Sequence, residues 1–318
     1  MKVKTIKHSA IYAGILLSII FVFISHSQQD DFPVLKGPYL GQKLPGLTPE
    51  IFAPGIISTE NFGEAGGAFT KNGSIFLFNR RTPPESHKTI YYIERKKGVW
   101  TRPAPVPFNS KFGDWSFNFG PDGRTLYFSS KRPVNGESDH AHNIWMTQLT
   151  SDGWDSPKIL EYPVNTPNST QSSPSLTRNK ILYFHSNRGV GFGGNDLYCA
   201  RLINGKYEIA ENLGSVINTK YWEYDPHIGP KEDYIIFSSD RPGGFGQYND
   251  MYISFRNKDG IWLKPQNLGK EFRDSGVSGV THDGKFLFIT NERRRAGVDD
   301  IYWVDIKFIE RFRPDKKQ

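Results

Sequence analysis

The sequence predicts an all-β ring of similar sheets, on three observations. A unit of strand, Gly-rich loop and strand recurs along the chain, most fully in Glu223 to Ile253, EYDPHIGPKEDYIIFSSDRPGGFGQYNDMYI. Its central run, YIIFSS, is rich in strand formers and is flanked by Pro and Gly breakers. The aligned phenylalanines Phe78, Phe128, Phe184, Phe237 and Phe288 lie 50–56 residues apart, a period that calls for a repeat architecture. Finally, 14% aromatic residues, 31 Gly and 21 Pro suit short strands joined by tight turns, and no amphipathic helix pattern follows residue 30.

Five units can be read, each as four short strands. The innermost strands are Gly67-Ala-Phe, Trp115-Ser-Phe-Asn-Phe, Ser173-Pro-Ser-Leu, Tyr224-Asp-Pro-His-Ile and Val277-Ser-Gly-Val. The Phe runs form the second strands, and the runs at Ile90, Ile144, Leu197, Met251 and Ile301 the third. The fourth strand is expected after a turn and an aromatic, at Trp100, Trp154, Tyr207 and Trp262, followed by tails such as KPQNLGKEF. The fifth unit has no such tail. A matching segment, TPEIFAPGIIST at 48–59, precedes the first unit instead. Borrowing it as the outer strand of the last unit closes the ring and removes exposed edges. The expected fold is a five-bladed β-propeller over 48–312, with an extended lead-in at 28–47 and a tail at 313–318.

The N-terminus has the layout of a secretory signal peptide: Lys2, Lys4 and Lys7, an apolar run from Ala10 to Ile24, then Ser25-His26-Ser27, with cleavage expected after Ser27. The alternative is an uncleaved anchor, but the run of 15 residues is shorter than the ~20 that a spanning helix needs. An exported protein is expected, periplasmic or extracellular, with residues 10–24 as its one means of staying on a membrane. Formal net charge is +7, yet five of the lysines lie in the export segment and the tail. Beyond Arg293 to Arg295 no basic cluster exists, which argues against nucleic acid. The lone Cys199 precludes an internal disulfide.

The turn GPDG, the run LYFSSKR, a Gly-rich loop and then Asp-Ile/Met-Tyr resemble the WD-repeat-like propeller repeats of the TolB type. The best match is SSDRPGGFGQYNDMYIS at 238–254; unit one lacks the Gly-rich loop, and unit five has Glu292 where the others have arginine. The resemblance covers roughly 48–307 and implies fold first. It further implies an exported binding or scaffolding module, without the translocation role of the namesake protein, whose partner domain this sequence lacks.

Repeated polar positions are the candidate site residues. Arg80, Arg132, Arg188 and Arg241 end the second strands, and Asp196, Asp250 and Asp300 begin the third. They are expected to pair across the loop and fix the blade edge. Glu64, Asp114, Gln171, Glu223 and Asp274 precede the inner strands, so they are expected to converge on one mouth of the central channel. Converging carboxylates repel, which raises pKa values or recruits a cation or polyhydroxyl ligand. The plainer reading is that each accepts hydrogen bonds from neighbouring backbone. His227 on an inner strand is expected to join this mouth. His140 and His142, an HxH beside Asp139, are weak metal candidates. GVGFGG at 189–194 precedes no helix and reads as a blade loop.

The functional expectation is a monomeric, cofactor-free binding module for an envelope protein or a glycan, with Phe192, Phe245 and Tyr248 available for stacking. The alternative is a carbohydrate-active hydrolase or lyase using mouth carboxylates. Catalytic acids normally occupy non-equivalent places in different blades, whereas these repeat.

Overall fold

Each apolar run becomes the second strand of an antiparallel sheet: Ile75–Arg81, Thr125–Ser130, Leu182–Ser186, Tyr234–Ser239 and Phe286–Arg295. These strands are covered on both faces by neighbouring sheets, so their sequences run apolar without alternation; Tyr234–Ser239 is buried throughout. The computed structural model describes residues 32–314, apart from 82–86, 137–140, 190 and 296–297 and the side chains of 292–298. The export segment and His140 lie outside the described residues. No described helix is long and apolar enough to cross a membrane.

On one side of each second strand runs an inner strand: Gly63–Phe69, Asp114–Phe119, Gln171–Leu176, Glu223–Ile228 or Ser275–Val280. On the other runs a third strand: Thr89–Lys96, Asn143–Thr150, Asp196–Ala200, Asp250–Phe255 or Val298–Asp305. The outer pairing is made by the tails rather than by the aromatics before them. Ala104–Pro105, Lys158–Ile159, Glu211–Asn212 and Gln266–Asn267 lie along the middle of the third strands. Trp100 and Trp154 only close hairpins at the strand ends, opposite Arg95 and Leu149. The expected fourth strands are corrected accordingly: a tail lies flat along the sheet, whereas the aromatic sits on the turn.

Glu50–Ile51 supplies the missing outer strand of the fifth sheet, with Glu50 opposite Trp303 and Ile51 opposite Tyr302. One hydrogen bond recurs in all five sheets. Val106, Leu160, Leu213 and Leu268 donate their N–H to the carbonyls of Ile90, Ile144, Leu197 and Met251, and Phe52 donates to Ile301. The fold is therefore a propeller of five blades, the last completed from the N-terminal side. Register also moves one expected position: opposite Val280 lies Leu287, so Ile289 and not Phe288 is the equivalent of Phe237, which stands two residues after Ile235, the partner of Ile228.

Where first and last blades meet, aromatic rings fill the space. Phe52 is fully buried, with ring centroids 4.8 Å from Phe76, 5.1 Å from Phe288 and 5.0 Å from Trp303. Gly67 makes room: a Cβ there would stand 2.7 Å from Cγ of Phe288. The lead-in is held down, not merely extended. Leu35 O and Gly37 O accept from Trp100 N and Nε1, and Tyr39 lies edge-on to Phe69 and Phe286 at 5.4 and 5.3 Å. At the other end the 3-10 turn Ile306–Phe312 stacks Phe308 on Phe272.

Phe52 thus joins strand closure to core packing. Phe52→Ala is expected to lower the unfolding free energy by about 3–5 kcal/mol, the range for truncating a buried phenylalanine, read from urea unfolding. A loss below ~1 kcal/mol would mean that the closing strand contributes little.

Candidate functional site

The acids before the inner strands face inward to the blade, not to the channel. Glu64, Asp114 and Glu223 are fully buried, each in an ion pair with an arginine: Arg80 at 3.0 Å, Arg132 at 3.0 Å and Arg241 at 3.0 Å. A hydroxyl residue four or five positions earlier completes each cluster through backbone and side chain. Thr59, Ser110 and Thr219 each donate N–H and Oγ–H to the carboxylate. The arginines Arg132 and Arg241 also hold the incoming chain, donating to Phe108 O and Ile217 O. Burial pushes Glu64 up to about 7 against the pull of Thr59 and Arg80, and it raises Glu223 too.

Two expectations are corrected here. The arginines pair with these acids and not with Asp196, Asp250 or Asp300. The acids in turn are withdrawn from the channel, because a carboxylate with three or four donors inside the blade is held there. Gln171 takes the acid's place in the third blade, bonded to Ser169 and Thr166, and Arg188 bonds to Ser186 and Val164 O instead. Arg80 reaches its acid from a position two residues earlier than the other arginines, directly opposite Glu64. The side chain of Glu292 lies outside the described residues. In the fifth blade Ser275, not Asp274, is equivalent to Glu223, since it lies five residues before Val280 as Glu223 does before Ile228. Asp196 and Asp250 tie down the Gly-rich loops instead, accepting from the N–H groups of Phe192 and Gly193 and of Phe245 and Gly246. Asp300 stands opposite Asn291.

The channel mouth is lined by a different set. A cavity of about 160 Å³ touches all five inner strands. In four blades, two positions after the cluster residue, the inner strand bulges through a left-handed conformation, at Gly66, Ser116, Ser173 and Asp225. The bulge turns that residue toward the axis, and Asp225 is the carboxylate it delivers. Ser173 Oγ donates to Asp225 Oδ1 at 2.6 Å, burial raises its pKa, and Oδ2 has no donor among the described residues. Asn249 donates to Tyr224 Oη at 2.7 Å and leaves its buried Oδ1 without a partner. Lys88 and Trp115 also line the cavity, with Lys88 3.5 Å from Asp299. Asp274 lies at the rim and accepts from Tyr248 N. Exposed rings surround this end: Phe192, Trp222, Phe245 and Tyr248.

Asp225, Trp115, Tyr224, Asn249 and Lys88 were missed as site residues. One signal was available for the first: a position held by Gly, Ser or Val in the other blades carries Asp in one. His227 lies at the opposite end of the channel from Asp225, because two residues further along an inner strand is also further down the axis. His142 packs edge-on against Trp115, centroids 4.2 Å apart, and no group of metal-ligating side chains occurs among the described residues. Cys199 is buried and its thiol is pushed up to about 11, which leaves it unreactive.

Burial drives His142 down to about 3 and His185 and His227 to about 4. Between the ordinary value near 6.5 and these values the folded chain binds fewer protons than the unfolded one. Their contribution to stability is complete above about pH 6.5 and is lost as pH falls through about 4. Urea unfolding at steps between about pH 7 and pH 4 is expected to show the loss, with a shallower slope in His185→Gln. A pH-independent midpoint would contradict the neutral burial.

No known family model matches the sequence, and no curated protein matches it. Solved structures do resemble it. An alpha-L-arabinofuranosidase from Lactobacillus brevis aligns with a TM-score of 0.50 at 12% identity over 76% of this chain and 90% of its own. A putative glycoside hydrolase from Bacteroides ovatus gives 0.49 at 12% identity over 87% and 97%. TolB from Acinetobacter baumannii gives 0.48 at 13% identity over 76% of this chain and 54% of its own, so this chain spans about half of that protein. At such identities the likeness is one of fold, and the chain is a β-propeller.

Proposed function

We propose that this protein is an exported, non-enzymatic binding module that takes a glycan at the Asp225 mouth of its channel. The observation that carries this reading is the division of the carboxylates. Glu64, Asp114 and Glu223 are locked in arginine clusters, and the channel keeps Asp225 with an open oxygen beside Asn249 Oδ1 and Lys88. Acceptors and a donor in a cavity with Trp115 and Tyr224 match a sugar, whose hydroxyls both donate and accept and whose apolar face stacks on rings. Phe192, Trp222, Phe245 and Tyr248 extend that platform outward. Export is supported by the basic, apolar and small-residue order of the first 27 residues.

A hydrolase reading draws on the arabinofuranosidase likeness and on Asp274, a second carboxylate at the cavity. Glycosidic cleavage needs two carboxyl groups on opposite sides of the bond, one of them protonated. Asp274 is engaged by the Tyr248 amide, and the buried acids cannot reach a substrate.

Calorimetric titration with plant and bacterial oligosaccharides is the test. Trp115→Ala and Asp225→Asn are each expected to weaken binding by about tenfold or more, roughly 1.4 kcal/mol, while Ile209→Ser, on a distant exposed residue, leaves it unchanged. Release of reducing sugar that Asp225→Asn abolishes would replace the binding reading with the hydrolase one.

A further inference from the structure

At the end of the channel away from Asp225, the inner strands pass into turns around a second cavity of about 230 Å³. Much of its wall is apolar: Phe69, Phe119, Leu176 and Ile228. Set into that wall is His227, 8% exposed, and neither of its ring nitrogens has a hydrogen-bond partner. Buried polar groups are nearly always bonded, so an imidazole with both nitrogens open marks a place for something else. The neutral ring offers one donor and one acceptor. A hydroxyl can answer either nitrogen, donating to the bare one or accepting from the N–H.

The rim supplies charge. Five equivalent turns lie at this end of the ring, four of them lining the cavity, and each is closed by an N–H to C=O bond: Gly73 to Thr70, Gly123 to Gly120, Lys180 to Thr177, Glu232 to Gly229 and Gly284 to Thr281. The residue after each turn's first position is Lys71, Pro121, Arg178, Pro230 or His282, three basic and two proline. Lys71 and His282 come together beside Gly123, where a Cβ would meet both. Neither Lys71 nor Arg178 has a carboxylate partner among the described residues. The acids nearby are engaged in their own turns. Asp122 accepts from Arg124 N, Thr125 N and Thr125 Oγ1, and Asp283 from Thr281 Oγ1, Lys285 N, Lys285 Nζ and Tyr39 Oη.

We infer that this second end binds a small hydroxycarboxylate with an apolar body. Its hydroxyl meets His227, its carboxylate faces Arg178, and its hydrocarbon lies among Phe69, Phe119 and Leu176. The site is independent of the glycan mouth, and either can fail without the other.

The test uses mandelate, 3-phenyllactate and 2-hydroxyisocaproate, each titrated into the folded protein by calorimetry, with the imidazole 15N shifts of His227 followed in parallel. At least one acid is expected to bind one-to-one and to move the His227 shifts. Its deoxy analogue and its methyl ester are each expected to bind about tenfold more weakly. His227→Phe and Arg178→Gln are expected to weaken binding by a similar factor, and Trp115→Ala to leave it unchanged. Three results would overturn the proposal: no binding of any of the acids at millimolar concentration, equal binding of acid and deoxy analogue, or unmoved His227 shifts, the mark of water alone in the cavity. The analogue and shift measurements need no variant, so they decide the matter even if His227→Phe does not fold.

Discussion

Closure of the ring is the constraint on which the channel depends. A curved array of sheets has two raw edges, and neither the mouth at Asp225 nor the cavity at His227 exists until those edges meet. Here they meet through Glu50 and Ile51 against the third strand of the last blade, with Phe52 wedged between Phe76, Phe288 and Trp303. The lead-in reinforces the junction by bonding to Trp100 in the first blade and resting Tyr39 on Phe286 in the last. Gly67 shows how tight the fit is, since any side chain there would overlap Phe288.

The blade count, the closing segment and the inner strands were legible because they follow from periodicity and from apolar runs, both of which a sequence displays. The outer strands were misplaced by a few residues, because the aromatics that mark each turn are more conspicuous than the two-residue tails that pair. In the fifth blade periodicity points to Phe288 rather than Ile289, since FLFIT offers two apolar residues for one place and only pairing with Val280 decides between them. The arginine clusters were half legible. Both partners were seen as repeated, but sequence does not say which repeated acid lies within reach of which arginine, and Thr59, Ser110 and Thr219 complete the answer only in three dimensions. Direction was the hardest matter. Whether a residue before an inner strand points to the axis or into the blade depends on the bulge that follows it.

That bulge explains why acids and function separate. One repeated set, four or five residues after a hydroxyl, ties each blade to the chain entering it. The next residue but one rotates toward the axis, and there the blades differ: Gly66, Ser116, Ser173 and Asp225. Repetition therefore marks architecture and variation marks the channel. The two ends differ for the same reason. One collects carboxylate, amide and aromatic groups, and the other collects basic turn residues above an apolar wall.

The junction at Glu50 and Ile51 also dictates an order of events. The ribosome makes this outer strand before the first blade and its partner, Val298–Asp305, after every other blade strand described. While residues 52–297 are being made the closing segment has nothing to pair with, and four sheets wait with an unsealed flank. Such a chain gains its final cooperativity only once residue 305 has emerged, so a fragment stopped short of it is expected to present sticky strand edges to whatever chaperone or neighbour is at hand.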